Sequence, residues 1–131
     1  MRGRVGLGMH SIALAAAALL FSASGAAAEP PSGMEPAFGN TIVSTYPDGR
    51  VAKAWLQPNG TYVGVGRRGG RSSGRWKVDG ERVCMRQSRP FPIPKSYCTP
   101  MIAGGVGTSW PAKAVTGEAV TMSLVAGTAG R

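Results

Sequence analysis

Arginines are concentrated in one stretch of the chain, where they offer anion-binding chemistry. Arg67, Arg68 and Arg71 lie in the glycine-rich segment 66–74, and Arg75 follows it directly. Guanidinium groups bind phosphate and carboxylate through paired N–H donors. We predict a mobile cationic loop in which these four arginines contact an anionic ligand. The alternative is a solvated hairpin loop whose glycines serve the turn.

The two cysteines, Cys84 and Cys98, are the second chemical feature of the sequence. A metal site would need more ligands than two thiols, and a redox-active pair would favour the Cys-x-x-Cys spacing. We therefore predict a disulfide, which is typical of proteins in an oxidising compartment. Closing a loop of about 15 residues stabilises a fold by roughly 3 kcal/mol.

The sequence lacks most of the residue types that enzymes use for catalysis. The only histidine is His10, in the N-terminal segment, so histidine-based catalysis and histidine-ligated metals are not expected. A glycosidase-type carboxylate pair would have to come from Glu81, Glu118 or a turn aspartate, and no spacing suggests it. We predict a protein that is not an enzyme and has no cofactor or metal site.

The N-terminus has the three parts of a cleavable secretory signal peptide. Arg2 and Arg4 give a positive start, Ser11–Phe21 is an almost unbroken apolar run, and Ala26–Ala28 supplies the small residues that signal peptidase accepts. The apolar run is too short to span a membrane, which needs roughly 20 residues. We predict a helical signal peptide over residues 1–28, cleavage after Ala28, and a periplasmic or secreted protein without a transmembrane segment.

Positive charge remains after this cleavage. The whole chain carries a net charge of +9, and loss of Arg2 and Arg4 leaves thirteen basic and six acidic residues, a net of +7. Such a surface attracts polyanions, although it also simply keeps a small protein soluble. Because an exported protein rarely meets nucleic acid, the expected partners are an anionic envelope lipid or glycan, or another exported protein.

Residues 29–39 contain several prolines and glycines and predict a flexible leader before a single β-domain over residues 40–131. Pro47-Asp48-Gly49, Pro58-Asn59-Gly60 and Asp79-Gly80 are preferred hairpin-turn sequences. Between and after these turns we predict short antiparallel strands at Thr41–Tyr46, Arg50–Leu56, Thr61–Val65, Gly74–Val78, Glu81–Met85, Thr108–Val115 and Ala119–Val125.

Alternation of apolar and basic residues indicates half-buried strands. Trp76 and Val78 share one face of their strand, and Val83 and Met85 share one face of the next, with cations on the outer faces. The second strand shows no clear inner face. The pattern predicts an all-β domain, an antiparallel meander of about six to eight short strands that forms a small barrel or a sandwich.

The segment from Pro90 to Lys95 alternates proline with other residues, so it is not a central strand. We predict an extended connection that lies across the core between the two cysteines. The alternative is a polyproline ligand for a partner groove.

Several of these elements together resemble a known group. They are Gly39-Asn40-Thr41-Ile42-Val43, the Asp-Gly and Asn-Gly turns, the stretch from Ser73 to Gly80 leading to Cys84, and Tyr97-Cys98. The chain is similar over roughly residues 39–125 to small uncharacterised exported proteins of alphaproteobacteria, a domain of unknown function. This resemblance implies a periplasmic all-β domain with one disulfide, and it implies no catalytic residue.

The sequence thus favours a non-enzymatic exported domain that binds an anionic cell-envelope component through Arg67, Arg68, Arg71 and Arg75. The alternative is a small inhibitor or assembly factor for another periplasmic protein, with the segment from Pro90 to Lys95 as its docking edge.

Overall fold

The structure, a computed structural model, describes Gly3 and residues 33–131. The predicted signal peptide, its cleavage site and the first residues of the predicted leader lie outside this described part. One turn of 3₁₀ helix at Glu35–Ala37 precedes eight strands: β1 (Thr41–Thr45), β2 (Val51–Leu56), β3 (Thr61–Val65), β4 (Arg71–Asp79), β5 (Arg82–Arg89), β6 (Tyr97–Pro100), β7 (Ser109–Lys113) and β8 (Ala119–Val125). None of the helical structure described is long and apolar enough to cross a membrane.

The strands form one antiparallel sheet in the order β6-β5-β4-β3-β2-β1-β8-β7. The sheet curls until its first and last strands nearly meet, and there the Tyr97 hydroxyl on β6 donates a hydrogen bond to the Lys113 carbonyl on β7. Pro111 lies on β7, where an edge strand tolerates the missing N–H. The predicted all-β meander is confirmed, and of the two arrangements considered it is a nearly closed barrel.

Four hairpins share one turn geometry, which sets the spacing of the strands. In each, the first residue donates its amide to the carbonyl four residues later, and the glycine at the fourth position donates back to the first carbonyl. These glycines have φ between 84° and 87°, which costs a residue with a Cβ more than glycine. The turns occupy residues 46–50, 57–61, 66–70 and 114–118.

Large side chains and the N-terminal segment close one end of the barrel. Trp76 is buried there, packs against Phe38 at a centroid distance of 5.8 Å, and donates its indole N–H to the Gln57 carbonyl. Met34 and Ala37 are fully buried in the same core. The predicted flexible leader is therefore wrong for residues 34–38, because their apolar side chains have a core to enter and prolong the β-domain.

Trp55 is buried on the outer side of the sheet, away from the barrel interior. Its indole N–H donates to the Thr41 hydroxyl over 2.8 Å, and that hydroxyl donates to the Gly127 carbonyl over 2.7 Å. The chain beyond β8 thus folds back over β2, where Trp55 is 1 % exposed. One threonine hydroxyl connects three separate parts of the chain.

The predicted disulfide is present between Cys84 and Cys98, which face each other directly across β5 and β6. It lies on the outer side of the sheet and indicates an oxidising, non-cytoplasmic compartment. The segment between the cysteines differs from expectation. Residues 90–96 are exposed and form a loop at the open end of the barrel instead of crossing the core. Two hydrogen bonds hold this loop to Gln87: the Ile93 amide donates to the Gln87 carbonyl, and the Gln87 side-chain amide donates to the Phe91 carbonyl.

We expect Thr41→Val to lower the free energy of unfolding by about 1–3 kcal/mol, because it leaves the Trp55 indole N–H buried without an acceptor. Urea unfolding followed by tryptophan fluorescence measures this change. Thr45→Val, at the exposed end of the same strand, is the control and should change little. Equal midpoints for the two variants would show that the hydroxyl link does not hold the tail in place.

Candidate functional site

Two adjacent strands, β4 and β5, carry most of the exposed cations. Because Trp76 points into the barrel, its neighbours Arg75 and Lys77 point outward, as strand geometry requires. Arg86 on β5 lies directly opposite Arg75. We call this outer surface the cationic face. Its six exposed residues are Arg71, Arg75, Lys77, Arg82, Arg86 and Arg89.

These cations have few acidic neighbours. In the described part of the chain, ion pairs join Arg50 to Asp48 and Arg67 to Glu118, and neither pair includes the cationic face. Like charges directly opposite each other on a sheet destabilise the fold. The pairing of Arg75 with Arg86 is therefore a cost that an anion placed between them would remove.

The register that aligns these arginines depends on Gly74. A β-bulge interrupts the pairing between Ser73 and Gly74, so that Gly74 lies opposite Gln87 while Ser73 lies opposite Arg89. A Cβ on Gly74 would collide with the Arg86 carbonyl group and come within 3.0 Å of the Gln87 Cα. Only glycine lets β5 approach β4 this closely beside Arg86.

Three shallow depressions surround Arg75, which lines all of them. The largest, of about 310 Å³, lies between Arg75, Arg86 and the loop residues Pro92, Ile93 and Pro94. The cationic face is therefore contoured, and an apolar loop borders it. The largest depression has two arginines, Arg75 and Arg86, among its lining residues.

The structure separates the four arginines that the sequence groups in one loop. Arg71 and Arg75 belong to β4, and only Arg67 and Arg68 lie in the turn. That turn has the same two backbone hydrogen bonds as the other hairpins, so the glycines serve a hairpin turn, which is the alternative that the sequence offered. Arg68 is exposed at its tip.

Arg67 is engaged within the protein. Its guanidinium donates two hydrogen bonds to the Glu118 carboxylate, at 2.9 and 3.1 Å, and its Cζ lies 4.2 Å from the centre of the Tyr46 ring. These hydrogen bonds, helped by one from Thr116, hold the pKa of Glu118 below its ordinary value of 4.5. Arg67 thus joins the β3–β4 turn to the β7–β8 turn at the open end of the barrel.

The carboxylates considered for catalysis are far apart. Glu81 lies in the β4–β5 turn at the closed end, whereas Glu118 lies in the β7–β8 turn at the open end. These two residues form no catalytic pair. Over residues 33–131, no three histidine, cysteine or acidic side chains cluster in a way that would hold a metal ion.

Sequence reasoning left Arg86 and Arg89 out of the site. The signal for Arg86 was in the chain, because a two-residue turn at Gly80-Glu81 places Asp79 opposite Arg82 and, four residues further along each strand, Arg75 opposite Arg86. Arg89 was harder to place, since it follows the bulge. Comparisons with protein-family models, with curated proteins and with solved structures find no match to this chain.

The Arg67–Glu118 pair makes stability depend on pH. Because folding lowers the pKa of Glu118, the pair stabilises the fold above pH 4.5 and loses this effect as the pH falls through the folded-state pKa. We expect Glu118→Gln to lower the melting temperature near neutral pH and to approach the parent protein in acid. Thermal unfolding between pH 7 and pH 3 measures the difference.

Glu81→Gln is the matched control, since Glu81 is exposed in a turn and makes no ion pair in the described chain. Its melting temperature near neutral pH should stay close to that of the parent protein. A Glu118→Gln deficit that persists unchanged in acid would mean that packing, not charge, accounts for the loss.

Proposed function

We propose that this is a non-enzymatic exported domain, periplasmic or secreted, that binds an anionic component of the cell envelope through the cationic face. The disulfide supports a compartment outside the cytoplasm. The signal-peptide pattern and the resemblance to small exported alphaproteobacterial proteins support export. The binding residues shift from the turn to the strands: Arg71 and Arg75 stay, Arg68 lies beside them, and Arg86 and Arg89 join them.

The facing pair Arg75 and Arg86 carries this proposal. Both side chains are exposed, they lie directly opposite each other, and neither forms an ion pair within the described chain. Two exposed arginines directly opposite each other on neighbouring strands can turn several N–H donors toward one phosphate group. An anion bound between them would relieve their mutual repulsion. The same two residues would therefore supply both the affinity for the ligand and the preference for a negatively charged one.

Among anionic components, the surface favours a phosphate-bearing lipid. Phe91 is 61 % exposed and Ile93 is 36 % exposed, and both belong to the loop beside the cationic face. Cations attract the phosphate layer of an anionic membrane, while an exposed aromatic side chain gains by entering the boundary with the acyl chains. A soluble glycan would use the cations alone.

The test measures binding of the purified mature domain to phosphatidylglycerol vesicles, with phosphatidylcholine vesicles for comparison. We expect binding only to the anionic vesicles, weakened steeply by salt because exposed charges are screened. Arg75→Ala combined with Arg86→Ala should weaken binding about thirtyfold, at roughly 1 kcal/mol for each cation near an anionic membrane.

Arg50→Ala combined with Lys113→Ala is the matched control, because it removes the same net charge from exposed positions outside the cationic face. Equal losses in the two double variants would show that net charge alone attracts the vesicle, and would overturn the proposed site. A phosphorylated polysaccharide in solution forms a second arm. Tighter binding to it than to vesicles would move the ligand from lipid to glycan.

The exposed loop also supports a second candidate, an inhibitor or assembly factor for another exported protein. An exposed phenylalanine beside prolines is an anchor of the kind that protein interfaces bury. This candidate predicts a stoichiometric complex that survives high salt. Affinity capture from periplasmic extract should then lose the partner with Phe91→Ser and keep it with Arg75→Ala and Arg86→Ala. The reverse pattern would reject it.

A further inference from the structure

The barrel interior is open and underfilled at the end opposite Trp76. Several inward-facing residues there are small, namely Ser44, Ala52, Ala54, Gly64 and Ser72, and they leave a cavity of about 260 Å³. Its walls include Tyr62, Met85 and Tyr97, and burial raises the pKa of both tyrosines. An eight-stranded barrel is just wide enough either to be filled by side chains or to hold one small ligand.

A second, deeper chamber of about 50 Å³ continues this cavity toward the closed end. The two spaces share the lining residues Ser44, Ala54, Met85 and Tyr97, so they lie next to each other in the barrel interior. The deeper chamber is lined mainly by apolar side chains, and its polar lining residues are Ser44, Tyr97, Thr99 and Trp110. Among the described residues that line it, none is charged.

Thr99 and Trp110 each have a buried polar atom without a hydrogen-bond partner in the described chain. The residues are 3 % and 7 % exposed, and the atoms are the Thr99 hydroxyl oxygen and the Trp110 indole nitrogen. Thr99 lies close enough to Tyr97 to oppose the rise in its pKa, but the two hydroxyls do not meet hydrogen-bond geometry.

The other two tryptophans show how unusual this is. Trp55 donates to Thr41, and Trp76 donates to the Gln57 carbonyl. A buried donor without a partner destabilises a fold, so native proteins rarely keep one without a reason. Here both residues line the small inner chamber, which lies next to the open cavity.

We propose that the barrel lumen binds a small uncharged molecule with an apolar body and a carbonyl group that accepts a hydrogen bond from Trp110. The tyrosine rings and Met85 contact the apolar body. The Thr99 hydroxyl contributes a second hydrogen bond at the inner end. An ionised carboxylate is excluded there, because the deeper chamber offers it no cation and burying an unpaired charge is costly.

The test is an NMR titration of the indole N–H resonances with butyrophenone, and with butylbenzene as a probe of similar shape that lacks the carbonyl. Trp110→Phe assigns the Trp110 resonance. We expect butyrophenone to shift that resonance in a saturable way and to leave those of Trp55 and Trp76 in place. Butylbenzene should bind roughly tenfold more weakly, because it leaves the buried donor unpaired.

Ala54→Leu fills space beside both chambers and should weaken butyrophenone binding at least about tenfold. Ala119→Leu, at an exposed position of β8, is the matched control and should bind as the parent protein does. Thr99→Val should weaken the ketone and spare the hydrocarbon.

An indole resonance that does not respond to butyrophenone would mean that buried water alone satisfies Trp110, and would overturn the proposal. Equal shifts in the Ala54→Leu variant and the parent protein would overturn it too, since the probe would then lie outside the lumen. Folding of each variant is checked by its melting temperature. Neither result bears on vesicle binding through Arg75 and Arg86.

Discussion

The burial of Trp76 inside the barrel is the interaction on which the rest of the surface depends. Its ring packs on Phe38 and its N–H is tied to Gln57, so β4 has one orientation in the sheet. Alternation then forces Arg75 outward, and the pairing of β4 with β5 brings Arg86 beside it. The same alternation places Cys84 on the outer side of β5, where the disulfide to Cys98 fixes the register of β5 against β6.

The distribution of side-chain size along the interior explains why the barrel is solid at one end and hollow at the other. Leu56, Leu124 and Trp76 fill the closed end. Toward the open end the inward positions hold alanine, glycine and serine. The hydrogen bonds from Tyr97 to Lys113 and from Arg67 to Glu118 join neighbouring strands and turns at this end and hold the barrel open. A cavity between strands that are hydrogen-bonded on both sides cannot shrink without breaking the ladder, which is why small residues leave space there instead of closing it.

The parts of this fold that could be predicted from the sequence depend on local rules. The Asn-Gly and Asp-Gly pairs, with their neighbouring prolines, predict the hairpin turns directly. The alternation of apolar and basic residues around Trp76 shows which side chains face inward. The parts that failed depend on distant partners. The inner face of β2 is ambiguous because Trp55 is buried on the outer side, under a tail that joins it through Thr41. Likewise Arg67 looks free until β8 and its preceding turn bring Glu118 to it, and the leader looks flexible until the barrel offers Met34 a core.

The loop after β5 gives the two candidate sites a physical connection. Gln87 and Ile93 line both the depression beside Arg75 and the open cavity of the lumen, one from each side. A surface bound through Arg75 and Arg86 is therefore held next to the mouth of the barrel. If that surface is a lipid layer, an apolar molecule that leaves it contacts the exposed side chains of Phe91 and Ile93 first. These contacts reduce the apolar area that the molecule exposes to water, and so lower the free-energy cost of its transfer to the lumen. The cationic face would then set where the lumen opens, while Trp110 and Thr99 would select what enters it.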